Sequence, residues 1–227
     1  MAMNNWVILP TAWIEQGGLK NFRWAKTEGS SAIAALMTLA VIAHTADERG
    51  SARITYDCIA EATGLSRTKI ANGLNLLAER NVIQRSKENQ SVYCLSNYDR
   101  TKAWGKLPAK PLYGGGAITA FKEFHLRKIT ELDSLKAYFV IITRRDNRTN
   151  LANITYDKIE QMTGIERRRI KSALSFLVVN NLVQIDHVPS RFSEYGVSNA
   201  YRPSHLDRNN YMGTLGRRMM QEDGFTE

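Results

Sequence analysis

From residue 67 the apolar side chains fall at Ile70, Leu74 and Leu77, the spacing of one buried helical face. Just upstream, Ile59 and Ala62 mark the inner side of a shorter helix over residues 56–63. Thr55 is a good N-cap for it, and Gly64 ends it where the chain needs a left-handed residue. Ser66 caps the longer helix and Asn81 closes it. Residues 82–85 and 91–95 then read as two strands around the polar turn Ser86-Lys87-Glu88-Asn89-Gln90. The whole pattern of residues 54–84 returns at residues 154–184 without a gap. Ile54-Thr55-Tyr56-Asp57 matches Ile154-Thr155-Tyr156-Asp157, and Gly64/Gly164, Arg67/Arg167, Ile70/Ile170, Leu74/Leu174 and Leu77/Leu177 match in turn. A match this long predicts one structural unit used twice.

The repeat extends upstream. Residues 31–46 are apolar nearly all round, which predicts a central core helix, and residues 132–145 are their equivalent. Before the first of these, Trp6-Val7-Ile8-Leu9 reads as a strand ended by Pro10. Thr11 then caps a brief helix through Trp13 and Ile14 that stops at Gly17-Gly18. Residues 98–129, with Pro108, Pro111 and Gly114-Gly115-Gly116, read as a linker and hinge. Within that stretch Phe121, Phe124 and Leu126 suggest a short lead-in helix. The second hairpin should be eight residues longer than the first, with Arg191, Phe192 and Tyr195 in the extension.

These elements predict a mainly α fold with small β-hairpins, in the α+β class. Two short helices joined at a glycine turn and continued by a hairpin have the layout of a winged helix-turn-helix. One such domain is expected at residues 1–100 and another at 119–208, joined by a linker over 101–118. Residues 209–227 are expected to form a loosely ordered tail.

Charge adds a partner to this picture. The chain carries 31 Lys and Arg against 22 Asp and Glu, a formal charge of +9, and both halves share the excess. That balance fits a polyanion touching both repeats. Cys58 and Cys94 read as small core residues of the first repeat. Neither belongs to a Cys-x-x-Cys pair, and the four histidines are scattered, so no metal or other cofactor is expected. Gly114-Gly115-Gly116 is not continued by Gly-Lys-Ser/Thr, and Ser204-His205-Leu206-Asp207 is adjacency rather than a triad, so no enzyme is expected. No apolar run is long enough to cross a bilayer, and residues 1–5 lack a signal-peptide pattern. A reducing bacterial cytoplasm, away from membranes, is the expected setting.

Turning Ile70, Leu74 and Leu77 inward points Thr68, Asn72 and Asn75 away from the core, flanked by Lys69. In the second repeat Arg168, Ser172 and Ser175 point outward, flanked by Arg169 and Lys171. Such side chains suit a major groove: Asn pairs two-pronged with adenine, Arg with guanine, and Ser or Thr with several bases. Ser66, Arg67, Arg167, Arg85, Lys87 and Arg191 are candidates for phosphate contacts that position without specifying. Glu166 stands where the first repeat has the capping Ser66, so the second unit is expected to dock differently or less tightly.

The run Ala46-Asp47-Glu48-Arg49-Gly50, continued by ITYDCIAEATGLSRTKIANGLNLLAERNVIQR, resembles the helix-turn-helix domains of plasmid and phage replication proteins. The resemblance covers about residues 30–95, and the second repeat more weakly through GIERRRIKSALSFL. Winged-helix transcriptional regulators share the motif. The resemblance implies a tandem winged-helix replication initiator binding repeated origin sequences in double-stranded DNA. It also implies contacts with replication or transcription machinery, and a second copy of the chain is a further candidate partner. Operator binding by a transcriptional regulator is the alternative, and a protein–protein scaffold is the alternative from another class.

Overall fold

The computed structural model describes residues 3–25, 28–86, 88, 91–189 and 197–206. They form an α+β fold with small antiparallel sheets. The first half runs β1 (Trp6–Pro10), α1 (Ala12–Glu15), α2 (Gly29–Thr45), β2 (Ser51–Arg53), α3 (Tyr56–Thr63), α4 (Arg67–Glu79), β3 (Ile83–Arg85) and β4 (Val92–Leu95). The second runs β5 (Trp104–Pro108), β6 (Tyr113–Gly114), β7 (Ala117–Ile118), α5 (Ile129–Arg144), α6 (Tyr156–Thr163), α7 (Arg167–Val179), β8 (Val183–Pro189) and β9 (Val197–Pro203). As its composition predicts, α2 is enclosed on all sides, every residue from Ala32 to His44 being buried. Around it α3 and α4 pack in the first unit, as α6 and α7 pack around α5 in the second. The central helices pack against each other, so one continuous hydrophobic core serves both units.

The stretch expected to be a linker is part of this core. Leu107, Ala109, Leu112, Ile118, Phe121 and Phe124 are all buried. Within it β5 pairs with β1, Trp6 opposite Pro108, Ile8 opposite Lys106 and Pro10 opposite Trp104. Both strands carry the motif Trp-x-x-Leu-Pro, so β5 is the second copy of β1. Position one of the motif faces position five in both directions, and position three faces itself. A twofold rotation is what maps an antiparallel pair of equivalent strands onto itself in this way. The equivalent Trp6 and Trp104 rings stack, with centroids 6.1 Å and planes 9° apart.

Other contacts repeat the exchange. Gly18-Leu19-Lys20-Asn21-Phe22 corresponds to Ala120-Phe121-Lys122-Glu123-Phe124, and each segment forms a 3-10 turn, Gly18–Asn21 and Thr119–Glu123. The first turn packs on α6 of the second unit, its Lys20 against Gly164. The second lies by α3 of the first unit, where Lys122 and Gly64 line one cleft of about 690 Å³. The first unit's turn thus packs on its partner's helix–turn, whereas the second unit meets α3 through β7 and leaves Gly64 open.

Two further expectations need correction. Cys58 is exposed on α3, where its Sγ accepts from the Thr55 hydroxyl at 3.3 Å, and Cys94 is only half-buried. The third residue of this capped helix faces solvent, which the apolar character of cysteine does not reveal. The first unit also has an unexpected strand, β2, which makes its hairpin a three-stranded sheet in the order β2-β4-β3. In the second unit the counterpart is a single bridge, Ala152 to Tyr201. The second hairpin is the longer, with seven residues in each strand. Residues 209–227 and the extension residues Phe192 and Tyr195 lie outside the described residues.

Candidate nucleic-acid interface

The helix–turn–helix is built the same way twice. Thr55 Oγ1 accepts from Cys58 N, and Thr155 Oγ1 accepts from Lys158 N. Such caps satisfy backbone donors that a helix start leaves open. At the other end Gly64 and Gly164 have φ of 73° and 69°, the left-handed region that glycine enters without steric cost. Beside each glycine, Thr63 and Thr163 donate to the carbonyls of Ile59 and Ile159 at 2.6 Å. The same hydroxyls accept from the backbone of Leu65 and Ile165 at 3.2 and 3.0 Å. Burial has one pattern, position by position, over residues 52–70 and 152–170. The turn is therefore held by the same bonds in both units, and it sets how α4 and α7 leave it.

On α4 the exposed positions are Arg67, Thr68, Asn72, Asn75 and, at its end, Glu79, while Ile70, Gly73, Leu74, Leu76 and Leu77 are buried. On α7 Arg167, Arg168, Lys171, Ser172 and Ser175 are exposed. Lys171, Ser172 and Ser175 line one shallow depression of about 420 Å³ with Thr130, Phe176 and Val179. Arg85 is exposed on β3. Lys87 and Arg191 lie outside the described residues.

Several cations named from the sequence are held by neighbours. Arg67 Nη2 pairs with Asp57 Oδ1 at 2.6 Å, and Arg167 pairs with Asp157 in the same way. These pairs are exposed, so water and salt screen them and a phosphate can displace the carboxylate at small cost. Lys69 is half-buried and its Nζ donates to Ser30 Oγ at 2.6 Å. Arg169 is also turned inward. Its Nε stands 3.0 Å from the buried carboxylate of Asp133, and its Nη1 lies 3.3 Å from Glu166. Lys69 and Arg169 therefore tie their helices to the core, and the residues one position earlier and three later are the ones exposed.

The two helix starts differ. Ser66 Oγ accepts from Lys69 N at 3.4 Å, whereas Glu166 makes no capping bond. The Glu166 carboxylate instead receives Arg168 Nε at 2.7 Å, and that bond, with Arg169 beside it, holds its pKa below the ordinary carboxylate value. Near the start of α4 the cleft shared with residues 117–127 adds Lys122 and Arg127 to Ser66 and Lys69. The sequence pattern singles out neither, although the Leu19-Lys20/Phe121-Lys122 match points to Lys122. At the far end Val178, Val179 and Ile185 are exposed where the first unit has Ala78, Glu79 and Arg85.

No protein-family model and no characterised protein matches the chain. Among the described residues no group of three or more His, Cys, Asp or Glu is placed to hold a metal ion. No helix among them is long and apolar enough to cross a membrane.

Proposed function

We propose that the chain is a tandem winged-helix protein that binds double-stranded DNA sequence-specifically, with α4 and α7 as its recognition helices. The observation that supports this reading is a pair of equivalent helices, each leaving the same hydrogen-bonded glycine turn, with exposed Thr, Asn, Arg and Ser side chains whose chemistry suits base edges. Thr68, Asn72 and Asn75 read bases in the first unit, and Arg168, Ser172 and Ser175 in the second. Arg67, Arg167, Arg85 and Lys171 contact phosphates, and the net charge of +9 draws the polyanion in. Two winged-helix units in one small chain resemble the architecture of plasmid replication initiators, which favours initiation at a plasmid or phage origin over operator binding.

Fluorescence anisotropy with random duplex DNA across a salt series tests the proposal. Affinity should fall steeply and linearly on logarithmic axes as phosphate contacts release counterions. A chain that binds no duplex even at low salt would instead be a scaffold with incidental charge.

A further inference from the structure

If α4 and α7 bind DNA as proposed, the symmetry of the fold dictates how the DNA site is arranged. The two helix–turns share their construction: the same threonine cap on the first helix, the same glycine turn, the same Arg–Asp pair and the same burial pattern over residues 52–70 and 152–170. Their mutual arrangement is set by β1 and β5, which are equivalent strands paired antiparallel in a register that reads the same from either end. Trp6 and Trp104 stack across that pair, and the opening segments cross over, the first 3-10 turn onto α6 and β7 onto α3. A translation or screw, as in a string of beads, would set equivalent strands parallel or out of contact. A twofold sets them as they are.

Two units related by a twofold, each docking on one duplex in the same way, must meet DNA segments related by the duplex's own dyad. We infer that a single chain recognises one inverted repeat, with half-sites in opposite orientation, rather than a direct repeat. The α4 half-site is read by two asparagines, the α7 half-site by one arginine and two serines. The repeat is therefore imperfect: adenine contacts weigh in one arm and a guanine contact in the other. The shared core fixes the distance between the arms, because α2 and α5 pack directly and no free tether separates the units. A symmetric dimer must read the same sequence twice, whereas this chain keeps dimer geometry and reads two different arms.

The test starts from duplexes selected out of a random library by the full chain. The two arms of the best site, their sequences unchanged, are then arranged in three ways: inverted, direct, and inverted with about five extra base pairs, half a helical turn, between them. Anisotropy gives the affinity of each, and mass measurement of the complex gives its stoichiometry. The inverted site should bind one chain per duplex at least about thirtyfold more tightly than either rearrangement. Asn72→Ala should relax base preference in one arm only, and Arg168→Ala in the other only, each by about tenfold at one position. Both residues are exposed, so the variants keep the fold. Equal affinity for the direct arrangement, or one chain holding two separate duplexes, overturns the inverted-repeat assignment and leaves DNA binding standing. Failure to select or bind any duplex overturns both.

Discussion

In the first unit α4 lies flush on α2 because Gly73 lets backbone meet backbone. A Cβ at that position would stand 2.9 Å from Ala35 N and 3.0 Å from the carbonyl carbon of Ala34. In the second unit Ala173 takes the position, and α7 is tied to α5 by more deeply buried polar contacts than the Lys69–Ser30 bond of the first unit. Ser134 Oγ donates to the Ala173 carbonyl at 3.1 Å, and Arg169 pairs with Asp133. Burial pushes the Asp133 carboxyl up, while Arg169 and Lys136 pull it down. Lys136, its pKa lowered by burial to about 8, donates to the Phe22 carbonyl at 3.1 Å. The central helices thus differ in kind: α2 is an apolar rod and α5 carries buried charge. The turn chemistry above them is unchanged. What sets the exit angle of the outer helix has been kept twice over, while the means of fastening it has diverged.

The largest expected effect comes from separating the units. Residues 1–100 alone keep α2, α3 and α4 but lose β5, the partner of β1, and α5, the cover of α2. That fragment should show no sharp thermal transition by circular dichroism, whereas the whole chain melts in one cooperative step. A sharp melt of the fragment would mean that the shared core is dispensable.

A second asymmetry is His44, matched in α5 by Thr143. The fully buried imidazole donates from Nε2 to the Pro108 carbonyl and accepts the Tyr113 hydroxyl at Nδ1, both at 2.9 Å. Thr143 merely bonds back to the Phe139 carbonyl. Burial lowers the His44 pKa from 6.5 to about 4. The unfolded chain therefore binds the proton first, so this contribution is complete above about pH 6.5 and is lost as pH falls towards 4. It amounts to at most about 3 kcal/mol. Melting temperature should drop between about pH 7 and pH 5 in the wild type, and His44→Gln should flatten the drop while lowering stability at neutral pH. An unchanged pH profile would show that the drop has another source.

The smallest effect separates the two fastenings. Gly73→Ala should cost about 1–3 kcal/mol through overpacking against the α2 backbone. The reverse change, Ala173→Gly, should cost only about 1 kcal/mol of helix propensity. Equal losses in chemical denaturation would erase the distinction between close packing and polar tethering.

Much of the helical unit is legible in the sequence, because caps, glycine turns and helical periodicity are local. Thr55, Gly64, Ser66 and the Ile70-Leu74-Leu77 face are each decided within a few residues. The pairing of β1 with β5 is not local. Its signal, a shared Trp-x-x-Leu-Pro, is a pair of short strings at Trp6 and Trp104, and the second lies amid prolines and glycines with the composition of a tether. The outward residues of α4 and α7 come from helical rotation alone. The inward turn of Lys69 and Arg169 depends on Ser30 and Asp133, which only the tertiary packing brings within reach.

The pairing of Trp6–Pro10 with Trp104–Pro108 also orders events in time. A growing chain delivers β1 first and β5 roughly 5–20 s later, at the usual rates of synthesis of about 5–20 residues per second. Through that interval β1 has an open edge, and α2 lacks the helix that will cover it. Closing contacts so far apart in sequence is slow compared with forming the local helix–turns. Until Trp104 arrives, the apolar surface that β5 and α5 cover in the folded chain has no partner, and exposed surface of that kind favours aggregation.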